Sequence, residues 1–410
     1  MKNIIVSTGY KSRSLSVDSF LRLREWNHSD RMISFILSHF KKDSTVTTGS
    51  PLSTKYSSFA ARLLMKPLFE NQWVIPECPP RLVEQFLKWY EERRLDIDLS
   101  DIQIDRPIFI ISLPRCGSSM LQDIICEHSQ VAYITNMMDT FRSSLCAAEH
   151  FRQKLGFNVR GERFLKDSVE VDGGSPADPV ATWADWFHQD PFRVEYQDLT
   201  IESFPPEDVA RVKDAIRKVL WCFGGKATRF ECKTPALLPH AVLLKDMFPD
   251  AKFIHLVRDA RASANSLLKL FRLCNDQLIA IRRRKKQPIP DTPFIPYPRM
   301  ARLQEHIEAY GPDDIRTTAH LWNDGVDFVR KNQHLFPNFH EVRYEDILAD
   351  PQMEIGRILD FCELPHPPQQ NQGFWGKVSK VGVVHHKNAY ANFDVVEEIC
   401  QKNMQEFGYL

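Results

Sequence analysis

Residues 106–128 read RPIFIISLPRCGSSMLQDIICEH, and the order of residue types is that of an anion-binding turn. An apolar run of strand length, 108–112, gives way to Leu113, Pro114, Arg115, Cys116, Gly117, Ser118 and Ser119. Met120, Leu121, Ile124 and Ile125 then recur at helical spacing. A buried strand that turns through small residues into a helix start leaves backbone N–H groups pointing outward, and these groups plus the helix dipole cradle an anion. The ligand is therefore expected to carry a phosphate. Gly117 lets the main chain approach it closely, Ser118 and Ser119 supply hydroxyls, and Arg115 adds a planar fork of donors. Cys116 places a thiol at the same helix start, a setting that favours redox sensitivity. The alternative is a serine-rich helix cap with no ligand.

The turn departs from the ATP-binding loop G-x-x-x-x-G-K-[ST]. Ser112 stands at the first glycine and Ser118 where the lysine belongs, which counts against a nucleoside triphosphate. A second stretch, 229–266, holds Lys233 after a short strand, then Arg258 after the strand 252–257, then Ser266 about two helical turns further on. Arg258 and Ser266 together could hold a second phosphate. An ion pair with Asp259 and an ordinary helix serine are the plainer readings.

The elements that must position these groups form an α/β pattern. Strands are expected at 108–112, 131–134, 230–232, 252–257 and 339–342, with helices following the turn and at 180–188, 206–221, 237–248, 317–331 and 352–362. Successive βα units imply a mostly parallel sheet with right-handed crossovers, and ligands gather at the carboxyl ends of such strands. Asp139, just after the second strand, is the first carboxylate that could reach the anion, with a helix N-cap as its other reading. Glu170, Asp172 and His188 are further candidate bases or surface groups.

Residues 1–105 read as a helical extension, with helices at 30–41, 58–66 and 80–95 and a stripe of Leu82, Phe86, Leu87 and Tyr90 facing inward. A helical layer on the sheet is the simplest role; dimerisation or substrate gating are the others. Residues 106–410 make the α/β domain. Arg282, Arg283, Arg284, Lys285 and Lys286 precede QPIPDTPFIPYPR at 287–299, a stiff, non-helical insertion read as a solvated helix end plus linker, or else a lid or anionic-acceptor contact.

Composition bounds the function. The 410 residues are 43% hydrophobic and 26% charged, and 53 Lys plus Arg balance 53 Asp plus Glu, so no global field recruits nucleic acid or an anionic membrane. Nine cysteines, an odd number with no C-x-x-C pair, argue against a disulfide framework and a zinc site. With no long apolar run, the expectation is a cytoplasmic protein without a membrane span.

The set P-R-C-G-S-S, K-T-P, V-R-D-x-R-A-x-x-x-S and V-R-Y-E-D-I-L-A-D-P (342–351) resembles the sulfotransferases that use 3′-phosphoadenosine 5′-phosphosulfate (PAPS), above all the bacterial ones and the tyrosylprotein branch. The resemblance, over about 105–365, implies a P-loop-like three-layer fold and transfer of a sulfuryl group from PAPS to a hydroxyl or amine, without metal. It implies that Arg115, Cys116, Gly117, Ser118 and Ser119 hold the 5′-phosphosulfate, that Arg258 and Ser266 hold the 3′-phosphate, and that Lys233 stabilises the moving group. The glutamate base of the tyrosylprotein branch would fall near Asn136, so Asp139 is taken as its replacement. The loop 376–388, with Ser379, Lys380, His386 and Lys387, approximates the family's C-terminal nucleotide loop. Glu345 and Asp346 are read as structural. A P-loop kinase and a non-catalytic PAPS-binding protein are the competing functions. The acceptor is not legible, a small molecule or carbohydrate being favoured over peptide tyrosine, and a homodimer is left open.

Overall fold

The computed structural model describes residues 81–155, 161–163, 170–382 and 390–410. The chain divides into two compact units, Met1–Lys66 and Pro67–Leu410, and every described residue belongs to the second. The helices expected at 30–41 and 58–66 lie outside the described residues.

Strands β1 (Ile108–Ile111), β2 (Val131–Tyr133), β3 (Gly161–Glu162), β4 (Glu170–Val171), β5 (Arg229–Lys233), β6 (Lys252–Val257) and β7 (Phe339–Arg343) form two sheets. The main one has the order β2-β5-β1-β6-β7 and is parallel throughout, while β3 and β4 make a small antiparallel ribbon. The first strand is thus the middle one. The chain builds outward from it on one side, returns, and then builds on the other, so the crevice at the carboxyl end of β1 is the switch point where ligands bind in such sheets.

The helices are α1 (Arg81–Arg94), α2 (Ser118–Ile125), α3 (Asn136–Thr140), α4 (Leu145–Leu155), α5 (Val180–Trp186), α6 (Pro206–Cys222), α7 (Ala241–Met247), α8 (Ala260–Lys285), α9 (Leu303–Tyr310), α10 (Ile315–Asn332), α11 (Tyr344–Ala349), α12 (Pro351–Phe361), α13 (Gln372–Val378) and α14 (Phe393–Glu406). Strand alternation sorts the core into two layers. Ile108, Ile110, Ile254 and Leu256 face α2, α12 and α13. Phe109, Ile111, Phe230 and Phe253 face the opposite way, onto α6, α10 and α14. Phe109 centres an aromatic cluster with Trp183, Phe230, Phe248 and Phe253, so its truncation would cost about 3–5 kcal/mol.

The expected three-layer α/β arrangement is present, with local differences. The helix read at 237–248 is a 3₁₀ turn, Pro235–His240, followed by α7, because Pro239 lacks an N–H and crowds the preceding turn. Helices α3 and α4 and the ribbon were not among the expected elements, and Glu345 and Asp346 lie in the first turn of helix α11. In α1, Leu82 is 52% exposed, whereas Glu91 is buried. Its carboxylate accepts from Cys146 N and Ala147 N, the first turn of α4, and from Lys218 Nζ at 2.7 Å. A charge there caps a helix and meets a cation, which an apolar-stripe count does not anticipate.

The insertion is a correction as well. It is non-helical as expected, and residues 287–293 are largely exposed as a linker would be, but Phe294, Tyr297 and Arg299 are buried, so its second half is part of the packed body. Arg299 fastens it, donating to the carbonyls of Arg193 (2.6 Å), Pro191 (2.9 Å) and Pro296 (3.0 Å) and lying over the Tyr297 ring. Burial lowers its pKa to about 10.

Candidate active site

At the carboxyl end of β1 the backbone leaves the sheet through two left-handed residues, Arg115 (φ 70°) and Gly117 (φ 98°), the latter being the N-cap of α2. The first N–H groups of a helix have no partner within it, so Gly117, Ser118 and Ser119 present donors at this turn. Arg163, from the loop between β3 and β4, reaches the Ser119 hydroxyl at 3.3 Å and adds a cation that the sequence reading did not include. Cys116 faces the other way: it is buried, and its thiol donates to Leu113 O at 2.8 Å. Its side chain belongs to the core, so any part it plays in the cradle comes from its main chain.

The two motifs converge. Arg115 Nε donates to Ser266 Oγ at 3.0 Å, across 151 positions of sequence. Arg258 Nη1 donates to Arg115 O at 3.1 Å, and its guanidinium stacks 4.8 Å from the Tyr344 ring centroid. Asp259 does not take Arg258 as an ion-pair partner; it caps α8 at Arg261 N and pairs with the Arg261 guanidinium. Glu345 accepts from Asp259 N and from the Tyr409 hydroxyl, and Asp346 pairs with Arg343. Both therefore brace the loops. Tyr344 was not among the expected site residues, although it lies in the V-R-Y-E-D motif.

Lys233 ends β5, in register with Ile110 of β1. Alternation puts it on the same face as Glu231, which accepts from Gln122 Nε2 (3.2 Å) and Cys126 Sγ (3.1 Å) of the α2 segment. Lys233 lies two residues nearer the carboxyl end of the strand, on the side of the sheet that α2 covers. Its Nζ pairs with Asp178 Oδ2 at 2.8 Å. Asp178 was missed because the GGSPADP run reads as an ordinary loop. That loop is docked on the end of β2: Ala177 N donates to Ile134 O, Asn136 N to Ser175 O and Met137 N to Gly173 O.

Asp139 does not present its carboxylate to the cradle. It is buried, and Oδ1 accepts the Thr182 hydroxyl at 2.6 Å and Thr182 N at 3.3 Å, capping α5. Burial raises its pKa to about 6. Asp172 holds its own turn through Gly174 N and Ser175 N, His188 pairs with Asp208, and Glu170 lies exposed on β4. Glu231 is fully buried and burial raises its pKa to about 7; its Oε1 has no partner among the described residues.

In the C-terminal loop, Ser379 donates back to Gly376 O and Lys380 is exposed, while His386 and Lys387 lie outside the described residues. At Tyr390 and Ala391 the chain is tied to α8: Asn265 Nδ2 donates to Ala391 O at 2.9 Å and Ala391 N returns to Asn265 Oδ1 at 3.2 Å. Asn265 is the neighbour of Ser266.

A left-handed turn at a helix start, a second cationic corner joined to it, and a lysine on the adjoining strand end thus converge at the carboxyl end of the sheet. Residues 107–284 and 293–368 match the model of the sulfotransferase family, more than half of the chain, and the chain belongs to that family. It is 23% identical over 156 residues to protein-tyrosine sulfotransferase A of Caenorhabditis elegans, covering 38% of this chain and 32% of that one. To carbohydrate sulfotransferase 2 of Mus musculus it is 28% identical over 241 residues, 52% of this chain and 44% of that one. The chain thus spans less than half the length of these curated relatives. Among solved structures, sulfotransferase STF9 from Mycobacterium avium aligns with a TM-score of 0.48 and 14% identity, covering 93% of this chain and 97% of that one.

Proposed function

We propose that this chain is an enzyme that moves a sulfuryl group from PAPS to a hydroxyl, or an amine, of a small-molecule or carbohydrate acceptor by in-line displacement. The observation that carries the reading is the junction of the two motifs: Arg115 bonded to Ser266 and Arg258 bonded to the Arg115 carbonyl. A ligand with phosphate at both ends of a nucleoside suits such a pair of adjoining anion sites. Gly117, Ser118 and Ser119 would hold the phosphosulfate end, with Cys116 contributing main chain only, and Arg258 and Ser266 the 3′-phosphate. Ser379 and Lys380 would lie at the rim.

When bound, the donor supplies an activated sulfuryl group on a good leaving phosphate. What the chain adds is position and fixed positive charge where negative charge grows, from Arg115, Lys233 and the start of α2. Removing one such donor costs about 10²–10³ in rate. The test is calorimetry with 3′,5′-bisphosphoadenosine (PAP), followed by transfer from labelled PAPS into a host extract. Tight PAP binding with transfer is expected; a preference for ATP with magnesium over PAP would overturn the reading in favour of a kinase.

All eight cysteines among the described residues are free, and no described helix is long and apolar enough to cross a membrane. The free thiols support a reducing compartment such as the cytoplasm, which fractionation would check. The even charge balance favours small ligands over nucleic acid, and sedimentation decides between monomer and homodimer.

A further inference from the structure

We infer that Asp178 takes the proton from the acceptor and that its ion pair with Lys233 is the resting form of the catalytic pair; this rests on the sulfotransferase reading above. The carboxylates around the cradle sort by their partners. Asp139 caps α5, Glu231 is sealed beneath α2, Asp172 closes its own turn, Glu149 is held by Arg152 and Glu345 by Asp259 N and Tyr409. Asp178 is different. Its partner is the lysine at the end of β5, and 43% of its side chain is exposed where that of Lys233 is 3% exposed. The lysine comes up from within the sheet, and the carboxylate covers it from the solvent side, the side from which an acceptor must arrive.

The position is also rigid. Ala177 is fixed through its N–H to Ile134 O at 2.9 Å and through its carbonyl to Gln122 Nε2 of α2 at 3.3 Å. Pro179 restricts the residue before it, which is Asp178 itself, and α5 begins at Val180. Val180 is buried with Ala236 and Tyr297, so one flank of the Lys233–Asp178 pair is a dry wall contributed partly by the insertion. An acceptor lying against that wall would have its hydroxyl beside Asp178. A base held this way needs no rearrangement of main chain to act.

In the resting pair the lysine charge is spent on the carboxylate. Once a sulfuryl oxygen draws Lys233 Nζ away, Asp178 is left facing the acceptor. The acceptor oxygen forms its bond to sulfur as the bond from sulfur to the bridging phosphate oxygen breaks. The acceptor proton passes to an Asp178 carboxylate oxygen, and the electron pair of the broken bond stays on the phosphate, facing Arg115, Lys233 and the start of α2. The products are sulfated acceptor and PAP, and Asp178 returns its proton to water.

D178N keeps the shape of the side chain and removes its charge. Calorimetry is expected to give PAP affinity within about threefold of the parent, while labelled-PAPS transfer into extract acceptors falls at least about 100-fold and D178E recovers part of it. PAPS, which carries the sulfuryl group that PAP lacks, should bind D178N more tightly than the parent, because nothing competes for Lys233. Transfer by D178N within about threefold of the parent overturns the inference. So does a loss of PAP binding equal to the loss of transfer, which would make Asp178 a scaffold residue. A parent protein that binds PAP but transfers nothing sinks the enzyme reading, and this inference with it.

Discussion

A methyl group on Gly117 would lie 2.3 Å from Cδ2 of Tyr344. The same ring carries the Arg258 guanidinium, so Tyr344 is the spacer that sets how far the cradle stands from the second cationic corner. Gly117→Ala meets both the ring and a φ of 98°. It should lose about 1–3 kcal/mol of stability and at least roughly tenfold in PAP affinity. Thermal melts and calorimetry check both, and unchanged PAP binding would show that the turn does not touch the ligand.

Arg115 and Ser266 should act as a unit. The double-mutant cycle of R115A and S266A, read as PAP binding free energy, is expected to show a coupling of about 1 kcal/mol. Strict additivity would mean that their 3.0 Å contact does not persist when ligand binds.

Lys233→Ala should leave PAP affinity nearly unchanged while kcat falls by about 10²–10³, since the lysine acts on charge that appears during transfer. A fall in PAP affinity as large as the fall in kcat would assign it to ground-state binding.

Glu231 gives a pH-dependent prediction. Burial raises its pKa from an ordinary 4.5 to about 7, so the folded protein holds this proton more tightly than the unfolded chain does. Stability from this group is fullest below pH 4.5 and declines as pH rises through 7, beyond which the loss is complete. Glu231→Gln removes the titration while keeping an acceptor for Cys126 and Gln122. It should raise stability at pH 8 by on the order of 2 kcal/mol and bring little gain at pH 5, seen in melts across that range. A gain that does not vary with pH would show that the carboxyl does not titrate as described.

Arg299→Ala removes three donors to main-chain carbonyls at once and should cost about 2–4 kcal/mol. Limited proteolysis should then cut within 287–299 well before the rest of the body. Resistance equal to the parent would mean that other contacts hold the insertion.

Strands and the cradle were legible because they rest on local signals. An apolar run ending in small residues names β1 and its turn, and the strand expected at 252–257 is β6 residue for residue. What was not legible depends on contacts between distant segments. Asp178 is one carboxylate in a polar loop until β2 docks that loop and brings it to Lys233. Asp139 has the sequence surroundings of a base and the burial of a cap, and only packing tells these apart. Arg299 looks like a charge closing a proline-rich linker, yet each of its three side-chain nitrogens donates to a main-chain carbonyl, which no periodicity reveals. Tyr344 was within reach, since its place in V-R-Y-E-D beside two bracing acids pointed to a residue with a job of its own.

The strand order bears on how this scaffold could be re-engineered. On the proposed function, the main groups assigned to the nucleotide (Arg115, Gly117, Ser118, Ser119, Arg258 and Ser266) issue from β1, β6 and the helices that directly follow them, whereas Asp178 and Tyr297 come from excursions that leave that framework and rejoin it elsewhere. Shuffling residues within 172–179 and 287–299 therefore offers a route to new acceptors that leaves the donor grip intact, provided that any graft keeps Asp178 as the inferred base and Arg299 as the rivet.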